Sequence, residues 1–333
     1  MGDLSKLAEA LEKGIGANDE AQGVDYWVST GYPALDRAIS HKYVGGGFPS
    51  GRMIEIAGPP SSGKTAIATN VMKAAQELGG IAQFHDHERS FEVGLAEKFG
   101  MSTVPGHWIY KRPKTFEESL DMAVETAHLV RGGKYIPDEA PIVVVFDSLA
   151  SMIPKSKRDK KSAEFNMHDN TALARCTSAA FPTFADFASE FNMLVIFLNQ
   201  TREDINVKYG DKTKTPGGNA PGFYCSVRIM LKASLFKNKE TKEVLGQEVT
   251  ATVVKNKVSR AWQTAEWQFL YQEDGSGKFD VVGGTLDLLC ELGIIEKSGA
   301  RVKWDGKSLF RKQVIEDIEK NGRVDELMGM LPQ

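Results

Sequence analysis

Residues 52–65 read RMIEIAGPPSSGKT and contain the pattern G-x-x-x-x-G-K-T between Gly58 and Thr65. The apolar residues before Gly58 predict a buried strand, and KTAIATNVMKAAQELGG predicts a helix that ends at Gly79 and Gly80. A glycine-containing turn between a strand and a helix is the context in which this pattern forms a phosphate-binding P-loop. The sequence therefore predicts an α/β nucleotide-binding core.

Each residue type in this turn has a use in binding phosphate. Backbone N–H groups of such a turn surround phosphate oxygens, and the positive end of the following helix attracts them. We expect Lys64 to reach the β and γ phosphates of a nucleotide and the Thr65 hydroxyl to bind magnesium. The predicted nucleotide-binding residues are Gly58, Pro59, Pro60, Ser61, Ser62, Gly63, Lys64, Thr65 and Ala66.

Downstream of the P-loop, strand-like and helix-like segments alternate. PIVVVFDS and NMLVIFLNQ are almost continuous apolar runs, as is typical of parallel strands that are covered on both faces. The pattern predicts a three-layer α/β fold with a mostly parallel central sheet. VRIMLKA, EVTATVVKNKV and AEWQFLY follow with short connections, so we expect them to extend this sheet in antiparallel fashion.

Three segments differ in their patterns. Residues 1–28 contain a short amphipathic helix and a linker, residues 29–278 carry the ATPase core, and residues 279–333 form a small α+β domain. Within the last segment, TLDLLCELG and SLFRKQVIEDIEKNG are predicted to be helical. The apolar stripe of the N-terminal helix needs a partner, for which the same chain's core and a neighbouring subunit are the two candidates.

Composition excludes several classes of protein. The 41 Lys and Arg residues are balanced by 44 Asp and Glu residues, and the resulting formal charge of -3 excludes a polycation that coats nucleic acid, although it permits a local basic groove. Cys176, Cys225 and Cys290 are far apart, which argues against a disulfide framework or a thiolate zinc site and favours the reducing cytoplasm. We find no apolar stretch approaching the roughly 18 residues of a membrane span.

Carboxylates at the ends of two further predicted strands are candidates for nucleotide chemistry. Asp147 ends the apolar run VVVFD, where it can hold magnesium or cap a helix, and the two roles are compatible. Asp86 and Glu88 lie in FHDHE, at the end of the next strand after the P-loop helix. Either carboxylate can polarise a water molecule toward a γ phosphate, and the residues alone do not choose between them.

Several motifs in the same order resemble the RecA family of strand-exchange recombinases, including its phage-borne, UvsX-like members. The resemblance runs from about Ser29 to Tyr271 and continues more loosely to the C-terminus. It is carried by STGYPALDRAI, GGGFPSGRMIEIAGPPSSGKT, FDSLASMIP, LNQTR, GGNAPGFYCSVR and VVKNK. The implied fold is a RecA-like P-loop ATPase core with a short N-terminal helix and a small α+β C-terminal domain.

The resemblance also implies catalytic roles. Glu88 matches the family's catalytic glutamate. Gln200 matches the residue that senses the γ phosphate and passes that state to a DNA-binding loop. Lys255 and Lys257 resemble the two lysines that reach the γ phosphate of a neighbouring subunit, although Lys also protects exposed edge strands. Tyr271 resembles an aromatic residue near the adenine. Phe223 matches an aromatic residue that links neighbouring subunits, and Leu95 stands where bacterial members stack a tyrosine on adenine.

Two basic segments match the family's DNA-binding loops. Their cations are expected to hold phosphates, and an apolar or aromatic side chain is expected to separate bases. For that second role, Met167 and Phe165 are the candidates in the first loop, and Ile205 and Tyr209 are those in the second. The predicted DNA-binding residues are Lys157, Arg158, Lys160, Lys161, Met167 and Arg175 in the first loop, and Arg202, Ile205, Lys208, Tyr209, Lys212, Gly217, Gly218 and Asn219 in the second.

The predicted function is that of a DNA-dependent ATPase that uses ATP and Mg²⁺, forms helical filaments with copies of itself on single-stranded DNA, and exchanges strands with a homologous duplex. A single-strand-binding protein or a loading mediator is a further implied partner, and a membrane is not. One alternative is a recombinase paralogue that loads a true recombinase, which intact Lys64, Glu88, Asp147 and Gln200 disfavour. A ring helicase with the same core is the other alternative; it would normally carry an arginine finger instead of the lysine pair.

Overall fold

The structure is a computed structural model, and it describes residues 4–15, 23–160, 171–203, 213–238, 240–272 and 277–332. The strands are β1 (Trp27–Val28), β2 (Phe48–Pro49), β3 (Arg52–Gly58), β4 (Ile81–Asp86), β5 (Trp108–Lys111), β6 (Ile142–Asp147), β7 (Met193–Gln200), β8 (Arg202–Glu203), β9 (Thr213–Lys214), β10 (Val227–Lys237), β11 (Val244–Asn256), β12 (Gln263–Tyr271), β13 (Gly277–Phe279), β14 (Lys297–Ser298), β15 (Arg301–Trp304) and β16 (Lys307–Phe310). The helices are α1 (Leu4–Ile15), α2 (Pro33–Ser40), α3 (Lys64–Glu77), α4 (Val93–Lys98), α5 (Phe116–Gly132), α6 (Lys155–Arg158), α7 (Ala172–Glu190), α8 (Ala220–Tyr224), α9 (Val281–Glu291), α10 (Arg311–Lys320) and α11 (Val324–Gly329).

Nine strands form the central sheet in the order β13-β12-β11-β10-β3-β7-β6-β4-β5. All neighbours from β10 to β5 run parallel, whereas β10, β11, β12 and β13 pair antiparallel with one another. This arrangement confirms the predicted mostly parallel α/β sheet and its antiparallel extension. Because β3, β7, β6 and β4 run parallel, their carboxyl ends meet at one edge of the sheet.

Both faces of the parallel strands are buried, which explains their almost continuous apolar sequences. On β6, Val143 and Val145 pack into one core while Val144 and Phe146 pack into the other. Phe146 stacks on Phe197 of β7 with ring centroids 4.8 Å apart. By contrast, β11 alternates buried and accessible residues along much of its length, as expected of a strand with one covered face.

The C-terminal residues have an apolar core of their own, built from α9, α10, α11 and the three-stranded sheet β14-β15-β16. The prediction of a helix from Ser308 was wrong, because Ser308, Leu309 and Phe310 belong to β16 and the helix begins at Arg311. Phe310 pairs with Arg301 of β15, whose guanidinium carbon lies 4.5 Å from the centre of the Phe310 ring. Cross-strand pairing therefore overrides the local helical pattern.

The apolar stripe of α1 is exposed, with Leu4 at 76%, Leu7 at 52% and Leu11 at 48% accessibility. Throughout the described ranges, we find no helix with the length and apolar composition that crossing a membrane requires.

Candidate active site

The P-loop connects the carboxyl end of β3 to the first residue of α3. Gly63 adopts a left-handed backbone with φ of +83°, and a Cβ at Gly58 would lie 2.6 Å from Ser62 Oγ, so both positions require glycine. Lys64 Nζ donates hydrogen bonds to the carbonyl oxygens of Gly58 and Pro59, at 3.1 and 2.8 Å. Burial lowers the pKa of Lys64, and Asp147 and Glu88 partly offset that effect. Anionic phosphate oxygens are stronger acceptors than these two neutral carbonyls.

Thr65 and Asp147 form the part of the site that suits a divalent cation. Thr65 Oγ1 donates to Asp147 Oδ2 at 2.9 Å, although the two residues are far apart in the sequence. Burial and, to a smaller extent, the nearby Glu88 carboxylate raise the pKa of Asp147 to about 7. A hydroxyl and a carboxylate are ligands that Mg²⁺ prefers, and a cation beside Asp147 would favour its ionised form. These residues therefore fit magnesium.

The structure distinguishes between the two acidic residues that follow β4. Asp86 is buried and accepts hydrogen bonds from Tyr110 Oη at 2.7 Å and from the amides of Ser90 and Phe91 at 3.3 Å each. Its oxygens thus hold the turn after β4 and strand β5. Glu88 instead faces the P-loop edge of the sheet, with Oε1 accepting from Gln200 Nε2 at 2.9 Å.

Ser148 is a second partner of Glu88 that the motifs did not reveal. Its hydroxyl donates to Glu88 Oε1, so two donors orient the same carboxylate oxygen. Ser148 is fully buried and directly follows Asp147, the last residue of β6. The FDS sequence carries this residue, but only the fold shows that it lies against Glu88.

A cleft of about 390 Å³ joins these groups. It is lined by residues 60–66 of the P-loop and α3, by Glu88, Asp147 and Gln200, and by three residues of the antiparallel strands: Gln247, Phe269 and Tyr271. Tyr271 thus lies at the cleft, as expected, whereas Leu95 is not among its lining residues. Sequence reasoning missed Gln247 and Phe269. The alternation of Phe269 and Tyr271 along β12 was the available signal, since residues two apart share a face.

Lys255 and Lys257 lie away from the cleft around the chain's own P-loop, because neither residue lines it. Lys255 Nζ donates to the carbonyl oxygens of Gly222 and Phe223 at 2.6 and 2.9 Å, and Lys257 Nζ donates to that of Phe223 at 3.4 Å. Burial lowers the pKa of Lys255, and the neighbouring Lys257 lowers it further. Phe223 itself is 67% exposed, so the lysine pair and an aromatic side chain share one surface.

The described ends of the two predicted DNA loops meet at α7. Thr177 Oγ1 of α7 donates to the carbonyl oxygen of Gly217 at 2.7 Å, and a Cβ at Gly218 would lie 2.8 Å from Ala174 Cβ. The first turns of α7 and residues 218–219 border an open depression of about 590 Å³. Its lining residues are Thr171, Ala174, Arg175, Ser178, Ala179, Gly218 and Asn219. The fold therefore brings one predicted first-loop cation, Arg175, beside the glycines of the second loop.

The other predicted DNA-binding residues divide between described and undescribed parts of the chain. Lys157 and Arg158 lie on α6, Lys160 follows that helix, and Arg202 on β8 pairs in register with Lys214 on β9. The remaining predicted residues lie outside the described residues: Lys161, Met167, Ile205, Lys208, Tyr209 and Lys212.

This fold and this site define an α/β nucleotide-binding protein of the P-loop class. The family model of the RecA N-terminal domain matches residues 12–276. "Protein RecA" of Geobacter sulfurreducens is 36% identical over 345 residues, which cover 98% of this chain and 94% of the relative. The chain belongs to the RecA family.

Further relatives agree with this assignment. "Protein RecA" of Citrifermentans bemidjiense is 38% identical over 283 residues, which cover 85% of this chain and 77% of the relative. "Protein RecA" of Chlorobaculum tepidum is 35% identical over 334 residues, which cover 98% of this chain and 89% of the relative. The chain is accordingly a nucleotide-binding P-loop recombinase and a DNA-dependent ATPase, which confirms the family and the function that the motifs predicted.

Proposed function

We propose that this chain binds ATP with Mg²⁺, assembles into helical filaments on single-stranded DNA and exchanges strands with a homologous duplex. The observation that carries the proposal is the meeting of Lys64, Thr65, Glu88, Asp147 and Gln200 in one cleft at the carboxyl edge of the parallel strands. These residues come from four separate segments of the chain, and the last of them directly precedes the second predicted DNA loop.

In the proposed reaction, Lys64 leaves the carbonyls of Gly58 and Pro59 and neutralises charge on the β and γ phosphates. Thr65 and Asp147 would hold Mg²⁺, which supplies further charge neutralisation when it is bound. Glu88 orients the attacking water and accepts its proton. Gln200 and Ser148 keep the Glu88 carboxylate in place through their hydrogen bonds to Oε1.

The lysine pair is proposed to act on the nucleotide of a neighbouring subunit. Lys255 and Lys257 do not line their own cleft, yet they present two cations beside the exposed Phe223 ring. In a filament, their ammonium groups would exchange neutral carbonyl acceptors for the γ phosphate of the neighbour. Hydrolysis would then depend on assembly, because the charge of the transition state is neutralised only at a subunit interface.

Each of three segments of the chain is proposed to have its own role. Residues 1–28 contact a neighbouring subunit through the exposed leucines of α1. Residues 29–278 carry the ATPase and the DNA loops, and residues 279–333 form a separate small domain around their own apolar core. A single-strand-binding protein or a loading mediator and a location in the cytoplasm are part of the same proposal.

The proposal is tested by the ATPase rate with and without single-stranded DNA, together with electron microscopy of the same sample. We expect DNA to stimulate hydrolysis and helical filaments to form with ATP. Lys64→Ala should abolish hydrolysis, since no other described cation lies at the P-loop cleft. Turnover within a few-fold of the unmodified chain would contradict the nucleotide-site assignment. Closed rings that unwind DNA would instead favour the helicase alternative.

A further inference from the structure

Two buried polar side chains and a partly buried arginine lie side by side beneath the ends of the second DNA loop. Glu55, Asn199 and Arg228 lie on the adjacent strands β3, β7 and β10. Glu55 and Asn199 are fully buried, and the Arg228 side chain is 23% exposed. None of them belongs to the nucleotide cleft, and charged residues are rarely buried unless they are paired.

Glu55 is the centre of this group. Its Oε2 accepts from Arg228 Nε at 2.5 Å, and its Oε1 accepts from Asn199 Nδ2 at 2.8 Å. A buried ion pair adds little stability compared with apolar residues of the same volume, although losing one partner is strongly destabilising. Because its neighbours on β3, Ile54 and Ile56, are apolar and fully buried, the presence of this charged pair points to a role in positioning.

Asn199 connects the two ends of the second loop. Its Nδ2 also donates to the carbonyl oxygen of Pro216 at 2.9 Å, and its Oδ1 accepts from the backbone amide of Gln200 at 3.0 Å. Both amide protons and one carbonyl lone pair are thereby used. Arg228 Nη2 adds a bond to Thr215 Oγ1 at 3.3 Å. The group thus joins Gln200, which directly precedes the loop, to residues 215–216 near the other end of the loop.

Gln200 is also the residue through which this group meets the nucleotide cleft. Its side chain bonds Glu88 at 2.9 Å, while its backbone amide is held by Asn199. A change in the cleft that moves Gln200 must either break the Asn199 bond or carry Asn199 with it. In the second case Pro216 moves as well, because the same Asn199 amide group holds it.

We propose that Glu55, Asn199 and Arg228 are positioning residues that couple the contents of the nucleotide cleft to the geometry of the second DNA loop. Asn199 transmits the movement, and the Glu55–Arg228 ion pair fixes Asn199 and Thr215 against the sheet. This inference rests on the proposed function, which supplies the nucleotide and the DNA. It predicts that disrupting these three residues weakens the effect of the bound nucleotide on the affinity for single-stranded DNA, and equally the reverse effect.

The test measures the Kd for single-stranded DNA with ADP and with a non-hydrolysable ATP analogue, and takes the ratio of the two values. Couplings between sites typically amount to about 5–150-fold, and we expect Asn199→Ala to reduce the ratio at least about fivefold. Val249→Ala is the control: it trims a buried side chain of β11 outside the network, so it lowers stability but leaves the ratio unchanged.

The outcomes separate the two proposals. A ratio of one in the unmodified chain overturns the proposed function and this network with it. A larger ratio that Asn199→Ala leaves intact overturns the network alone. If circular dichroism shows that Asn199→Ala does not fold, Thr215→Val decides, because it removes only the Arg228 contact at a half-buried position. An unchanged ratio in that variant overturns the network, and a reduction of about twofold or more supports it.

Discussion

A buried histidine, His85, and a partly buried one, His87, precede Glu88 and predict that acid weakens the fold. His85 Nδ1 and His87 Nε2 both lie within hydrogen-bond distance of Ser119 Oγ, at 2.7 and 2.9 Å. A serine hydroxyl has one hydrogen and two acceptor lone pairs, so Ser119 can accept from one imidazole N–H while it donates to the other ring, which must then be neutral. Burial lowers the pKa of His85 to about 3 and that of His87 to about 4.

The size of the effect follows from proton linkage. In the unfolded chain a histidine has a pKa near about 6.5, so below that pH the unfolded state binds more protons and the free energy of unfolding falls. Each histidine loses about 1.4 kcal/mol between pH 7.5 and 5.5, or about 3 kcal/mol for the pair. Asp36 and Asp147 act in the opposite direction, because burial raises their carboxyl pKa values to about 6 and about 7.

The contribution of these carboxylates to the pH dependence of unfolding cancels when the unmodified chain is compared with a variant that lacks both histidines. We expect a His85→Asn/His87→Gln variant, whose amides do not titrate, to lack the acid-sensitive contribution. Urea unfolding of dilute, nucleotide-free protein at both pH values gives the free energy of unfolding of each chain. The difference between the unmodified chain and the variant should change by about 3 kcal/mol. His107→Gln, which removes an exposed histidine, is the control. A difference that stays constant with pH would refute the reasoning.

The remaining predictions concern the site. Glu88→Gln should bind ATP but hydrolyse it about 10²-fold more slowly, since the amide cannot accept the proton of water; steady-state rates and nucleotide titration check this, and normal turnover would exclude Glu88 as the base. Replacing Lys255 and Lys257 by Ala should preserve ATP binding by single subunits and remove DNA-stimulated hydrolysis. A lowered melting temperature as the sole defect would instead indicate a purely structural role; a protective edge strand is excluded, because β11 lies between β12 and β10. The logarithm of the affinity for single-stranded DNA should fall with log salt by about 0.7 per neutralised phosphate. A variant that replaces Lys157, Arg158, Lys160 and Lys161 together should show a shallower slope, and an unchanged slope would contradict the first-loop assignment.

Local sequence was sufficient to predict the structure wherever a short segment carries its own physical signal. The P-loop was predictable because Gly58, Gly63, Lys64 and Thr65 lie within eight residues that connect a strand to a helix. The parallel strands were predictable because burial on both faces leaves almost continuous apolar runs. The helix predicted from Ser308 failed, because pairing between β15 and β16 decides that segment and no local pattern encodes it.

Tertiary structure alone decided which distant residues share the cleft. The sequence offered both Asp86 and Glu88; the family resemblance favoured Glu88, and the fold places Asp86 against Tyr110 and Glu88 against Gln200. Phe269 reaches the cleft because β12 and the P-loop strand belong to one sheet.

Glu55 interrupts the apolar run of β3, but nothing in the local sequence identifies its partners. Asn199 and Arg228 follow it by 144 and 173 residues. The sequence thus determines the local conformations and the chemical groups of this protein. Contacts between such groups depend on strand order and register, which arise only when the whole sheet packs.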